Sequence, residues 1–182
     1  KILVLDDTET STAIVKSIDI NDRSEEVFFH HPNYDPYPQV IDDNLFAISV
    51  VPGYEQVYWM DDSIEAQIAN QLIKTFNDGN DSIAKKANVV ITSMSEDKNR
   101  VIVRVSDDRS SPKYWCYDAA EKRLIDFLTV WPEIKEKNLS STKPFKFKNS
   151  DGIMLHGYFT NSKNYDGQSS QPLIVLPHGG PI

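Results

Sequence analysis

Apolar and polar positions alternate in short runs over the first 60 residues. Lys1–Leu5, Thr12–Asp19, Glu26–His30, Gln39–Ile41, Leu45–Val51 and Gln56–Met60 each read as a strand. Polar clusters separate them, among them Asp6 to Ser11 and Ile20-Asn21-Asp22-Arg23-Ser24, and Pro52-Gly53 marks a tighter turn. The rhythm breaks at 62–78. There Ile64, Ile68, Leu72, Ile73 and Phe76 fall on one helical face, which predicts a single amphipathic helix over about 63–77. Asp62 is the expected N-cap, Glu65 stands at the capping-box position, and Gly79 follows as the expected C′ residue. Strands resume at Ala87–Met94, Arg100–Ser106, Lys113–Asp118 and Leu124–Val130, the first two joined by the turn Ser95–Asn99. Val101, Val103 and Val105 share one face of their strand. Glu133–Leu139 is expected to make one or two helical turns.

The first and third groups of strands repeat each other. Setting Lys1 on Arg100 brings Ile2-Leu3-Val4 onto Val101-Ile102-Val103 and Ser17-Ile18-Asp19 onto Cys116-Tyr117-Asp118. At the same spacing Val27-Phe28-Phe29 meets Asp126-Phe127-Leu128, and Pro32 falls one residue short of Pro132. Repetition on this scale favours a radial array of blades over a plain β-sandwich. Residues 1–31 are then the end of one blade, residues 39–60 a shortened second, and residues 87–130 a complete four-stranded third.

The texture changes after Ser141. Phe145 to Tyr158 reads as two strands around Asp151-Gly152, a hairpin signal. A polar loop, Thr160 to Gln171, leads to Leu173–Leu176, an unbroken apolar run that predicts a strand buried on both faces. Pro177, His178, Gly179, Gly180 and Pro181 follow. Paired glycines leave backbone N–H groups unshielded, so a strand opening into them can aim donors at a developing negative charge. A domain boundary is expected near Lys135–Lys143, with blades over 1–138 and a second domain beginning over 139–182.

Composition narrows the partners. With 27 acidic against 19 basic residues the formal net charge is −8, which argues against nucleic acid and against an anionic membrane surface. An apolar share of 40% without low-complexity tracts indicates a soluble globular chain and leaves its compartment, cytoplasm or periplasm, undecided. The chain starts inside an apolar run with no Met, and the expectation is a section of a longer protein. The lone Cys116 cannot form an internal disulfide and reads as a small packed hydrophobe.

Other candidates for chemistry read as structural. Adjacent strand residues point to opposite faces, so His30 and His31 cannot readily chelate one ion together with Asp35. His156 reads as a surface or interface residue. Asp42-Asp43, Asp61-Asp62 and Asp107-Asp108 stand at strand ends as turn formers. Asn80-Asp81-Ser82 and Asn138-Leu139-Ser140 match the glycosylation triplet, a pattern common by chance. Tyr54, Tyr58, Trp59, Tyr114, Trp115 and Tyr117 read as packing or blade-to-blade contacts. No serine sits in Gly-x-Ser-x-Gly; Gly167-Gln168-Ser169 continues into Ser170-Gln171.

Three features together resemble a known family: the Phe145–Tyr158 hairpin with Asp151-Gly152, Leu155 and Gly157-Tyr158; the Leu173–Pro181 strand and HGGP loop; and the blade-like strands upstream with their inserted helix. The chain resembles a section of a prolyl oligopeptidase family serine peptidase, of the acylaminoacyl-peptidase or dipeptidyl-aminopeptidase kind. The resemblance covers most of the chain, with its specificity in roughly the last 40 residues. It implies a mainly β chain, the last blades of a β-propeller followed by the first strands of an α/β-hydrolase sheet. It implies a parent enzyme that hydrolyses short peptides through an acyl-enzyme, with the propeller filtering access. It gives Gly180, and less firmly Gly179, as backbone donors of the oxyanion hole, and His178 as support for that loop rather than as the triad base. Nucleophile, acid and base are expected outside these residues, so the 182-residue chain itself is expected to be inactive. No cofactor or metal is implied. Exposed strand edges are expected to promote self-association. A non-catalytic β-propeller-like interaction module and an esterase or lipase are the other readings.

Overall fold

The computed structural model describes residues 1–77, 87–135 and 138–177. The described chain is mainly β. β1 (Ile2–Asp6), β2 (Ile14–Ile18) and β3 (Glu25–His30) form one antiparallel sheet, and β4 (Tyr37–Ile41), β5 (Asn44–Val50) and β6 (Gln56–Trp59) form the next. After the helix α1 (Ile64–Asn77) come β7 (Asn88–Met94), β8 (Arg100–Ser106), β9 (Lys113–Asp118) and β10 (Arg123–Thr129), a four-stranded sheet. β11 (Thr142–Lys148) and β12 (Met154–Thr160) pair as a separate hairpin. Every sheet is a meander in which sequence neighbours are spatial neighbours. β4 starts at Tyr37, two residues before the expected start at Gln39, and so includes Pro38. It is tolerated because β4 is an edge strand, where a missing N–H costs no ladder bond.

α1 sits between the second and third sheets and uses both sides of its apolar stripe. Ala66 and Ala69 pack on Phe46 and Ala47 of β5. Ile68 and Leu72 pack on Val89, Val101, Val103 and Tyr117. Ile91 touches both clusters and joins them into one interior. Alanines thus form the side of the stripe toward β5, and the larger Ile68 and Leu72 the side toward β7 and β8. Lys98, in the β7–β8 turn, lies 2.6 Å from Asp42 and 3.0 Å from Glu65, tying both sheets to the first turn of the helix.

The cap differs from the expectation. Ser63, not Asp62, is the N-cap: its Oγ accepts the N–H of Ala66 at 3.3 Å and its carbonyl accepts that of Gln67 at 3.0 Å. Asp61 accepts the N–H of Ser63 at 3.1 Å and so sets the cap one residue later. Glu65 is then in the second helical position, buried against Lys98, and closes no capping box. The expected C′ residue Gly79 lies outside the described residues. At the end of the helix the Asn77 side chain does the joining: Oδ1 accepts the N–H of Ala87 at 2.8 Å, and Nδ2 donates to the carbonyls of Ile73 and Ala87.

The internal repeat extends to the hydrogen-bonded register. Ile2 opposite Ile18 corresponds to Val101 opposite Tyr117, and Asp6 opposite Ile14 to Val105 opposite Lys113. The next ladder matches too, with Ile18 opposite Glu25 and Tyr117 opposite Leu124. Both units carry a bulge at the same place, Phe28 in one and Phe127 in the other. Both turn corners with a residue at positive φ, Arg23 (62°) and Lys122 (51°). The buried hydroxyls of Thr12 and Ser111 also correspond. Each bonds the backbone where the third strand leaves, at His31 and Trp131.

These two like units turn opposite faces to the second sheet. Cross-strand partners share a face, so Val15 and Phe29 are on one side of the first sheet, and Phe29 meets Tyr58 of β6 with ring centroids 4.8 Å apart. In the third sheet the side turned inward is the other one, carrying Val101, Val103 and Tyr117.

One expectation near the end of the chain is corrected. Leu173–Leu176 forms no strand and is not buried: the four residues are 73 to 86% exposed. A strand of a parallel sheet needs a neighbour to satisfy its backbone, and no described strand pairs with this run. In the described part of Glu133–Leu139, i→i+3 turns close from Ile134 N–H to the Trp131 carbonyl at 3.1 Å and from Asn138 N–H to the Lys135 carbonyl at 2.9 Å, the second in 3-10 geometry at Asn138.

Candidate functional site

His178, Gly179 and Gly180, the residues singled out for an oxyanion hole, lie outside the described residues. What is described is the framework before them, the hairpin β11–β12 and the cleft where it leans on the sheets. Its turn is built on Asn149, whose Oδ1 accepts the N–H groups of Asp151 (3.0 Å) and Ile153 (2.9 Å). Gly152 takes a φ of 79°, as the Asp-Gly signal predicts. Phe145 stands opposite Gly157 and leaves no room there for a side chain: an added Cβ would meet its ring at 2.7 Å.

Three polar contacts fasten the hairpin. Tyr158 donates its hydroxyl hydrogen to the Gly53 carbonyl at 2.9 Å. Lys146 donates to the Tyr34 hydroxyl at 3.0 Å and lies over the same ring, 5.8 Å from its centroid. The Thr142 N–H donates to the Asp108 carboxylate. Tyr34 also receives His156 edge-on at 5.3 Å and His31 at 5.0 Å. A loop after β3, the β5–β6 loop and the β8–β9 loop therefore all hold the hairpin.

Between the β5–β6 loop, the β8–β9 loop, α1 and the hairpin lies a cavity of about 460 Å³. Tyr54, Tyr158, Val57 and Ile73 give it an apolar wall, and Glu55, Asp107 and Asp108 give it carboxyl groups. Burial pushes the Glu55 carboxyl above its ordinary value, a hydrogen bond with the Ser49 side chain opposing. Burial likewise raises the Tyr158 phenol, with Tyr54 and Tyr37 adding to it. Asp107 is occupied by the N–H groups of Arg109 and Ser110, and Asp108 by Thr142. These two carboxylates hold backbone and are not poised as an acid–base pair.

The remaining sequence candidates are placed as follows. Asp42 and Asp43 sit at φ 49° and 64° in the β4–β5 turn, and Asp61 fixes the cap of α1. Trp115 packs on Phe76, Trp59 lies against the β5–α1 cluster, and Cys116 is half-buried in β9. His30 and His31 part to different partners. His31 Nδ1 accepts the Asn33 N–H at 3.2 Å, and His30 Nε2 lies 3.1 Å from Thr12 Oγ1. That last pair resembles a hydroxyl nucleophile beside an imidazole, but its polarity is reversed. Thr12 has one hydroxyl hydrogen and spends it on the His31 carbonyl at 2.6 Å, so the imidazole is the donor and cannot act as its base. Sequence reasoning missed the Tyr158–Gly53 and Lys146–Tyr34 contacts. Each joins residues more than 100 positions apart, and no local pattern announces them.

No helix among the described residues is long and apolar enough to cross a membrane. No protein-family model matches the chain, and no curated protein matches it.

Proposed function

We propose that this chain is the blade-bearing part of a serine peptidase resembling the prolyl oligopeptidase family, together with the entry into its α/β-hydrolase domain. One observation carries the reading. The three-stranded unit recurs with the same register, bulge and corner residue, and its two copies turn opposite faces to the sheet between them. A sandwich brings two inner faces together. Successive blades of a propeller stack front to back. The hairpin β11–β12 then leads out of the blades, held by Tyr34, Gly53 and Asp108, and the chain runs on through Leu173–Leu176 to His178-Gly179-Gly180-Pro181.

In this reading the blades restrict entry to short peptides, and the backbone N–H of Gly180, with Gly179 beside it, supplies half of an oxyanion hole. His178 holds that loop. Losing one such donor costs about 3–4 kcal/mol of transition-state stabilisation. The Ser nucleophile and its acid and base belong to chain beyond Ile182. The exposed Leu173–Leu176 becomes a buried strand only beside strands supplied from there.

The test is covalent labelling. A fluorophosphonate probe should leave the 182-residue chain unmodified, and this chain should not cleave peptide anilides. The gene product that includes the sequence following Ile182 should label on the serine of a Gly-x-Ser-x-Gly turn. Labelling of the 182-residue chain, or a longer product with no reactive serine, overturns the reading in favour of a non-catalytic interaction module.

A further inference from the structure

A second cleft, of about 550 Å³, opens where the β8–β9 loop, the segment leading into β11 and the chain leaving β12 meet. Its lining has the opposite sign to that of the first cavity. Arg109, Lys143 and Lys163 stand around it, and no carboxylate is among its described lining residues. This occurs in a chain with 27 acidic and 19 basic residues. Local structure does the sorting. Asp107 and Asp108 line the first cavity, and Arg109, next in the same loop, lines the second. Thr142 and Lys143 divide in the same way, because successive side chains of a strand point to opposite faces. The backbone under the cations is held by bonds of its own. Asp107 accepts the Arg109 N–H at 2.8 Å, Asp108 accepts the Thr142 N–H, and the Ser162 carbonyl accepts the Tyr165 N–H at 3.0 Å. Ser140, Ser141 and Ser162 add hydroxyls to the cleft and Asn161 an amide, so every polar side chain lining it can donate a hydrogen bond.

We infer that this cleft binds a small ligand through a phosphate group, either a phosphate monoester or free phosphate. Three cations gathered on one concave surface repel one another, and a dianion offsets that cost. A phosphate presents oxygens in several directions, which suits donors arriving from three segments, and it can take Arg109 as a bidentate partner. A carboxylate brings one charge and two oxygens in one plane, and would leave most of these donors unused. The volume falls in the range of small-molecule sites, about 300–1,000 Å³. Leu139 is the one apolar residue in the lining and offers a surface to the rest of an ester. A ligand bound there bridges the third sheet to the β11–β12 hairpin, so binding should tighten the hairpin. The inference needs neither the blade reading nor a reactive serine.

Phosphorus NMR of inorganic phosphate titrated with the 182-residue chain, at an ionic strength fixed with chloride, is the test. The resonance should shift and broaden, and phosphate should slow proteolysis of the hairpin. Lys143→Gln combined with Lys163→Gln should weaken binding by about tenfold or more. Both lysines are exposed, so the double variant keeps the fold. Lys74→Gln combined with Lys148→Gln removes the same charge from exposed positions elsewhere and should leave binding unchanged. Phenyl phosphate binding more tightly than inorganic phosphate points to a monoester as the ligand, and the reverse order to free phosphate. An unmoved phosphate resonance, an equal loss in the two double variants, or acetate binding as tightly as phosphate overturns the proposal. None of these results depends on whether a serine labels downstream, so this inference and the peptidase reading fail separately.

Discussion

The hydroxyl of Tyr158 donates to the carbonyl of Gly53 at 2.9 Å, across 105 positions of sequence. The contact is possible because Gly53 takes a φ of 117°, which turns its carbonyl out of the β5–β6 loop and leaves its α-carbon against Pro144. One glycine therefore admits both edges of the hairpin. Gly53→Ala places a methyl group 3.0 Å from the Pro144 Cβ in a conformation that L side chains rarely adopt. It should cost about 1–3 kcal/mol. Tyr158→Phe loses only the hydrogen bond, about 0.5–1 kcal/mol. Limited proteolysis should cut the β11–β12 hairpin faster in Gly53→Ala than in Tyr158→Phe. Equal rates in both variants and the unaltered chain would mean that this contact does not hold the hairpin.

Leu72 is buried in the interior, 1% exposed. It packs among residues of α1, β7, β8 and β9, so its loss is felt by helix and sheet together. Leu72→Ala should cost about 2–4 kcal/mol, from lost burial and from the cavity left behind. Ile64, on the same stripe, is 52% exposed, and Ile64→Ala should cost under about 1 kcal/mol. Urea unfolding followed by circular dichroism measures both. Similar midpoints for the two variants would contradict the placement of the helix.

How legible the molecule was in its sequence depended on how local the signal was. The strands and α1 follow from the alternation of side chains and from the spacing of Ile64, Ile68 and Leu72, because local geometry generates those periods. The repeat was visible as like residues at like spacing, and the register of β1 on β2 follows it to the bulge. The cap was misplaced by one residue because Asp62 and Ser63 are both good caps. The choice fell to Asp61, whose carboxylate takes the Ser63 N–H. Leu173–Leu176 was misread because an apolar run says that a segment prefers burial, not that a partner is at hand. The cleft was illegible altogether: Tyr34, Gly53, Asp108 and Tyr158 come from four separate segments and converge only in the fold.

Ser17 carries a buried hydroxyl with no hydrogen-bond partner, and the repeat shows what fits there instead. Its counterpart in the third sheet is Cys116, opposite Ile102 as Ser17 is opposite Leu3. A thiol has nearly the same shape and loses far less on leaving water. Ser17→Cys should therefore stabilise the chain by about 1 kcal/mol, the lower end of the cost of an unsatisfied buried hydroxyl. A higher urea midpoint under reducing conditions is the expected result. A lower midpoint would show that the hydroxyl has a partner in solution.

Two carboxyl groups should give stability opposite dependences on pH. Glu55 titrates above its usual value of 4.5 because burial disfavours its charge. The folded state thus binds its proton more tightly than the unfolded state. The stability it contributes is complete below about pH 4.5 and is lost as pH rises through the raised folded value. Glu55→Gln, which stays neutral, should be more stable than the unaltered chain near neutral pH, and the advantage should vanish toward pH 4.5. Asp97 works the other way. The Ser95 hydroxyl, the Asn99 side-chain amide and the Asn99 N–H hold its carboxylate down to about 2 from 3.8. Its contribution is complete above about pH 3.8 and is lost as pH falls toward 2. Asp97→Asn should be less stable than the unaltered chain near neutral pH, with the gap closing in acid. Thermal melts of both variants across the pH range separate the two. A Glu55→Gln curve parallel to that of the unaltered chain at every pH would mean that Glu55 is solvated in the folded state.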